Sequence, residues 1–309
     1  MQEENVKKTS WWDIIKRSFF VLIMVQMLPG IFIAVKTGID SAMNPKPQVG
    51  VVDLRGEIHN SNRCIKEIRS FAKQNEIKAI LLRVNSPGGV PGASELVFRE
   101  LERAKLKKPV VTLVESVCAS GAYYAAAASD YIVAPATSVV GSVGVLSLMP
   151  NVKGLADDWK VNVQTVQSGK FKTVGNPFGE PLTSEERLYR QEVSDSIYDQ
   201  FYMDVAKSRG LDFKMASEWA NGKVFTGRDA LKLGLIDKIG GMSDVEDEIK
   251  KRANISGDIN FVRTPKPSFL AKLSGADDEA GSEISASISS ILAEAFFKIS
   301  TGAGLSYKL

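Results

Sequence analysis

Apolar residues along this chain alternate between short strand-like blocks and longer stretches with helical spacing. VGVVDL (49–54) has the pattern of a buried strand, and SNRCIKEIRSFAKQ (61–74) has helical spacing with Ser61 at its N-cap. KAILLRV (78–84) predicts a second strand. A second helix follows over 92–107, its apolar residues Leu96, Val97, Leu101 and Ala104 three or four apart. PVVTLVE (109–115) predicts a third strand, Ser120 to Ala128 a helix of small residues, and YIVA (131–134) a fourth strand. VNVQTVQ (161–167) alternates apolar and polar positions, which predicts another strand. Helical spacing dominates from Thr183 to Arg209 and returns at 227–233 and 242–252. Strand–helix–strand repeats of this length imply an α/β fold with a mainly parallel sheet and right-handed crossovers.

Ahead of these elements the pattern changes. Residues 19–35, FFVLIMVQMLPGIFIAV, form 17 positions without a charge. That length is at the short end of what spans a bilayer core of roughly 30 Å. Trp11 and Trp12 precede the run as interfacial anchors would, and Lys7, Lys8, Lys16 and Arg17 outnumber Lys36 and Lys46 beyond it. The charge bias keeps residues 1–18 in the cytoplasm and sends the remainder across. A cleaved signal peptide is the competing reading, for which the apolar run is long. Pro45 and Pro47 mark a linker over 36–48, a soluble domain runs over 49–265, and 266–309 is a Ser-, Ala- and Gly-rich tail with one amphipathic segment at 282–298. This orientation puts the soluble domain on the outer, periplasmic side of a bacterial cytoplasmic membrane.

Composition narrows the chemistry. In 309 residues, 44% are hydrophobic and the net charge is only +3, so a packed core is feasible and a nucleic-acid partner is not indicated. Two cysteines, Cys64 and Cys118, stand in no CxxC pair, which disfavours a thiolate metal site. The single histidine, His59, is the only imidazole through which a Ser–His–Asp triad or a histidine metal site would run. Neither a metal nor a cofactor is expected.

Two junctions between a strand and the following element carry unusual residues. Asn85-Ser86-Pro87-Gly88-Gly89 follows the second strand, and its paired glycines let backbone N–H groups face outward, as an oxyanion hole requires. Read without chemistry, the same residues are a Pro-Gly turn. Cys118-Ala119-Ser120-Gly121-Ala122-Tyr123-Tyr124 follows the third strand and sets Ser120 at a helix start, where the N–H of Gly121 is a second candidate donor. Its bland alternative is a helix N-cap. A serine nucleophile needs a base. His59 stands in a polar E-I-H-N stretch with no orienting carboxylate evident. Lysine is the remaining class, usable only when desolvated, and spacing does not select among the many lysines.

The series V-N-S-P-G-G (84–89), A-S-G-A-Y-Y (119–124), G-S-V-G-V (141–145), S-G-K-F-K-T-V-G-N-P-F (168–178) and V-F-T-G-R-D-A-L-K-L-G-L-I-D-K-I-G (224–240) resembles the signal peptide peptidase A family of serine peptidases, known as S49. These motifs span about 49–245 in the family's order. The resemblance implies a crotonase/Clp-like fold and a Ser–Lys dyad in which Ser120 is the nucleophile and Lys172 the base. It implies Gly89 and Gly121 as the oxyanion hole and Ser142 as a support for the lysine amine. Lys170 is the rival base, and Ala122 departs from the glycine many relatives carry there. The implied substrates are remnant signal peptides or other apolar peptide segments met at the membrane, and the implied assembly is a ring or dome of identical half-length subunits. A crotonase-like acyl-CoA enzyme and a catalytically idle membrane scaffold are the competing functions.

Overall fold

A computed structural model describes residues 11–12, 19–20, 22–30, 32–33, 36 and 46–264. Residues 1–10, 37–45 of the linker, and the tail 266–309 lie outside the described residues, as do positions 21, 31, 34 and 35 of the apolar run. The described positions of that run are helical and exposed, among them Phe19, Phe20, Met27 and Phe32. No helix among the described residues is long and apolar enough to cross a membrane.

From Gln48 onward the chain alternates strand and helix. β1 (Gln48–Ile58), α1 (Asn62–Lys73), β2 (Ile77–Gly89), α2 (Pro91–Lys105), β3 (Val110–Ala119), α3 (Gly121–Ala127) and β4 (Tyr131–Ala134) follow in order. Next come β5 (Val139–Gly141), α4 (Lys153–Asp158) and the long α5 (Ser184–Arg209). Then come α6 (Ala216–Trp219), β6 (Val224–Thr226), α7 (Gly227–Lys232), β7 (Lys238–Ile239), α8 (Met242–Ala253) and β8 (Asn260–Val262). The central path through the sheet is β6-β5-β3-β2-β1-β8, with β4 and β7 branching from β3. Every described pairing is parallel except β5 with β6.

The near-continuous apolar runs of the central strands follow from burial on both faces. Val52, Leu54, Ile80, Leu82 and Val84 face one core with α1, α2 and α3, including Ile68, Val97 and Ala125. Their alternate neighbours Val49, Val51, Ala79 and Leu81 face a second core closed by Val245 and Ile249 of α8. Beyond α8 the second face turns polar. There the carboxylates of Asp53 and Glu115 form ion pairs with Arg55, Arg83 and Arg263.

Several boundaries differ from those the pattern predicts. β1, β2 and β3 each run four or more residues past the predicted end, carrying the glycine loop and Cys118 inside strands. Leu96 is exposed although its spacing matched the apolar face of α2. Ser61 occupies the N-cap of α1 without a side-chain capping bond. Thr183 does cap α5: its Oγ1 accepts from the Glu186 N–H, and the Glu186 carboxylate accepts from the Thr183 N–H at 2.9 Å. The expected strand over 161–167 is absent. All seven residues are exposed and pair with no strand among the described residues, so their alternation buries neither face there.

Candidate active site

The long strands converge on one end of the sheet. Ser86 of β2 sits in register with Cys118 of β3, which brings the glycine loop alongside the turn that carries Ser120. Gly88 has φ of +104°, and its N–H donates to the Oγ of fully buried Ser86 at 3.2 Å. A side chain at Gly88 would meet the Gly121 nitrogen at 2.7 Å and the Ser120 Cβ at 2.8 Å. One at Gly89 would strike the Ile58 backbone, and one at Gly121 would strike Ser94. The two loops therefore pack backbone on backbone, with the Gly89 nitrogen 3.4 Å from where a Gly121 side chain would begin.

Ser120 itself is strained, with φ 51° and ψ −127°, a region that favours glycine. Its flanks hold it there: its N–H donates to the Gly141 carbonyl at 2.8 Å, and its carbonyl accepts the Tyr124 N–H at 2.9 Å. The side chain makes no capping bond, so the N-cap alternative does not describe this serine. Ser142 also has positive φ, 54°, and its N–H donates to the Lys223 carbonyl at 2.8 Å.

Ser120, Gly89, Gly121 and Ser142 all line one cavity of about 910 Å³. Its opposite wall comes from α5, through residues such as Gln191, Asp195 and Tyr198, and its rim includes Asn221 and Gly222. Tyr124 and Phe201, both almost fully buried, also line it. Neither stands out in the sequence, because an aromatic residue in a helix signals core packing and nothing more. Beneath the site, burial pushes the Cys118 thiol pKa well above its ordinary value. Burial, and next the bond to Asp204, do the same to the Tyr124 hydroxyl.

No histidine, lysine or arginine is among the residues lining this cavity. His59 is exposed, 3.8 Å from Glu57, and does not reach it. Lys172 is exposed on a turn, its N–H donating to the Gly169 carbonyl at 3.1 Å, and forms no ion pair among the described residues. The structure thus brings four of the five predicted site residues together and leaves Lys172 outside. The rival Lys170 is engaged elsewhere: its Nζ donates to both carboxylate oxygens of Glu185 at 2.6 Å.

Comparison with known proteins agrees with the motif series. Residues 102–256 match the model of Peptidase family S49. The chain is 42% identical over 192 residues to "Putative protease MJ0651" of Methanocaldococcus jannaschii, covering 62% of this chain and 61% of that protein. It is 35% identical over 203 residues to "Putative signal peptide peptidase SppA" of Enterococcus faecium, covering 65% and 58%. It is 33% identical over 221 residues to "Serine protease SPPA, chloroplastic" of Arabidopsis thaliana, covering 71% of this chain and 33% of that one. The matched region thus spans less than two thirds of each of these relatives. With a family model matching half its length, over a region that includes Ser120, Ser142 and Lys172, the chain belongs to peptidase family S49.

Proposed function

We propose that this chain is a membrane-anchored serine endopeptidase that cleaves remnant signal peptides or other apolar segments with a Ser120–Lys172 dyad. The observation that carries the reading is a strained serine on a cavity wall, flanked by two glycine loops whose backbones touch. In this reading the neutral amine of Lys172 takes the Ser120 proton and the alkoxide attacks a peptide carbonyl. The N–H groups of Gly89 and Gly121 receive the oxyanion, where preorganised donors contribute most to such reactions. The ammonium of Lys172 returns the proton to the departing amine, and water then releases the acyl group from Ser120. Ser142 positions the amine.

A lysine works as a base only where water is excluded. In a single subunit Lys172 is exposed, on an arm that also exposes Leu146, Leu148, Val161, Val163 and Val166. Exposed apolar surface of this extent marks an interaction site. The reading therefore includes assembly: identical subunits cover the arm, desolvate Lys172 and bring it to a Ser120. It also includes an anchor over 19–35, supported by the exposure of Phe19, Phe20, Met27 and Phe32 among its described residues. It includes the crotonase/Clp-like form of the α/β fold, supported by the repeated strand–helix units. The name of the Enterococcus faecium relative supports the substrate class.

The test is cleavage of a synthetic signal peptide by the full chain in detergent. Ser120→Ala and Lys172→Ala should each lower turnover by about 10⁴-fold or more with the circular dichroism spectrum unchanged. Full activity of Lys172→Ala would remove the proposed base and point to Lys170.

A further inference from the structure

The inner end of the cavity is closed by a built arrangement. Tyr124 lies in α3, four residues after the strained Ser120 that precedes the helix, and both residues line the cavity. Its ring stacks on Phe201 of α5 at 4.5 Å and 20°, and leans on Phe98 of α2 at 5.0 Å. Its hydroxyl donates to Asp204 Oδ2 at 2.5 Å. The same oxygen accepts from Arg99 Nη2 at 2.8 Å and Gln200 Nε2 at 2.9 Å. Asp204 is only 8% exposed, so a swing of the ring would strip a donor from a buried carboxylate. Three helices thus hold one aromatic ring still, at the floor of the space next to the serine. Gly89, Gly121 and Ser142 contribute little bulk, while Val90 and Leu146 line the cavity elsewhere.

We infer that Tyr124, stacked on Phe201 and held by Asp204, limits the size of the substrate side chain admitted beside Ser120. This rests on the peptidase reading. An acyl group on Ser120 sends its side chain into the cavity that Tyr124 also lines, where a methyl group fits and an aromatic ring meets Tyr124. Tyr124 is the specificity-determining residue, and Asp204 is a positioning residue that acts through it.

The measurement is a ratio: kcat/KM for a peptide with Phe at the residue preceding the cleaved bond, divided by that for the Ala peptide. A ratio is insensitive to how much of a variant is folded. In the full-length enzyme Tyr124→Ala should raise it at least about tenfold, the scale of discrimination by pocket volume. Tyr124→Phe, which keeps the ring but loses the bond to Asp204, and Asp204→Leu should each raise it by a similar, smaller factor of about two- to threefold. Where Tyr124→Ala fails to accumulate, Phe201→Leu opens the same end from α5 and is read identically. A ratio that stays at the parent value in the accumulating variant overturns the inference. Equilibrium binding of both peptides in the Ser120→Ala background separates the two claims. If the parent cleaves neither peptide but the binding ratio shifts with Tyr124→Ala, the peptidase reading fails and the pocket assignment stands. If the parent cleaves and neither ratio moves, the assignment fails alone.

Discussion

The Ser120 backbone N–H donates to the Gly141 carbonyl at 2.8 Å, tying the end of β3 to the end of β5. That bond sets Ser120 and Ser142 on the same cavity, each with a φ that side-chain-bearing residues avoid. Strain of this kind persists where surrounding structure over-determines it, at a cost of about 1–3 kcal/mol per residue.

Relieving it should separate stability from activity. Ser120→Gly removes both the hydroxyl and the strain, whereas Ser120→Ala removes only the hydroxyl. The glycine variant should be more stable than the parent by about 1–2 kcal/mol and equally inactive, as sites held in strained geometry trade stability for function. Denaturant unfolding of the three proteins measures this. A glycine variant no more stable than the alanine variant would show that the φ of 51° carries no cost.

The contact between the two glycine loops makes a steeper demand. An alanine at Gly88 adds a Cβ 2.7 Å from the Gly121 nitrogen and 2.8 Å from the Ser120 Cβ, at a φ of +104°. Gly88→Ala should cost about 3 kcal/mol or more and displace the serine, so turnover falls as well. Unfolding midpoint and peptide cleavage, measured on the same preparation, check both halves.

Two neighbouring tyrosines predict a loss of stability at alkaline pH. Burial raises the pKa of Tyr123, whose hydroxyl donates to the Leu235 carbonyl at 2.8 Å, and of Tyr124 above the ordinary value near 10. Both keep their protons in the folded chain at a pH where the unfolded chain releases them. Their contribution is whole below about pH 10 and is lost as pH rises from there toward the folded values. Melting temperature should fall across that range, and Tyr123→Phe or Tyr124→Phe should flatten the fall. A slope unchanged in both variants would count against it.

The exposed arm gives a prediction about assembly. Val166 is fully exposed, and Val163 and Val161 are about half exposed beside it. Val166→Asp places a charge where a second copy would bury a methyl group. The variant should shift to smaller species in light scattering and lose turnover together with its oligomer, while its circular dichroism spectrum stays unchanged. Retention of parental mass would remove this arm from the interface.

Much of the fold was legible because β1, β2 and β3 are buried on both faces and α1, α2 and α5 have clear helical lengths. β5, β6, β7 and β8 were invisible, since two or three residues leave no periodicity to detect. The 161–167 segment misled in an informative way: period-two alternation records a face that wants covering, and nothing among the described residues covers it. Of the cavity residues, Gly89, Ser120 and Gly121 were readable as loop chemistry, whereas Ser142 came through the motif series alone, as did the proposed base Lys172, which lies outside the cavity. Tyr124 and Asp204 were not readable. Their significance comes from α5 packing 80 residues away in sequence, and an aspartate in a helix resembles any solvated acid.

The reversed strand at one end of the sheet has a consequence for how this cavity can change. Because β6 runs against β5, its approach passes directly along Ser142: Lys223 lends its carbonyl there, and the Gly222 N–H reaches the Val143 carbonyl at 2.9 Å. These main-chain bonds form the seam, and Asn221 Oδ1 adds one by accepting from the Lys223 N–H at 3.1 Å, so the side chain at 223 can drift without loosening it. What the mouth offers to an incoming peptide can thus be retuned separately from the framework beneath it.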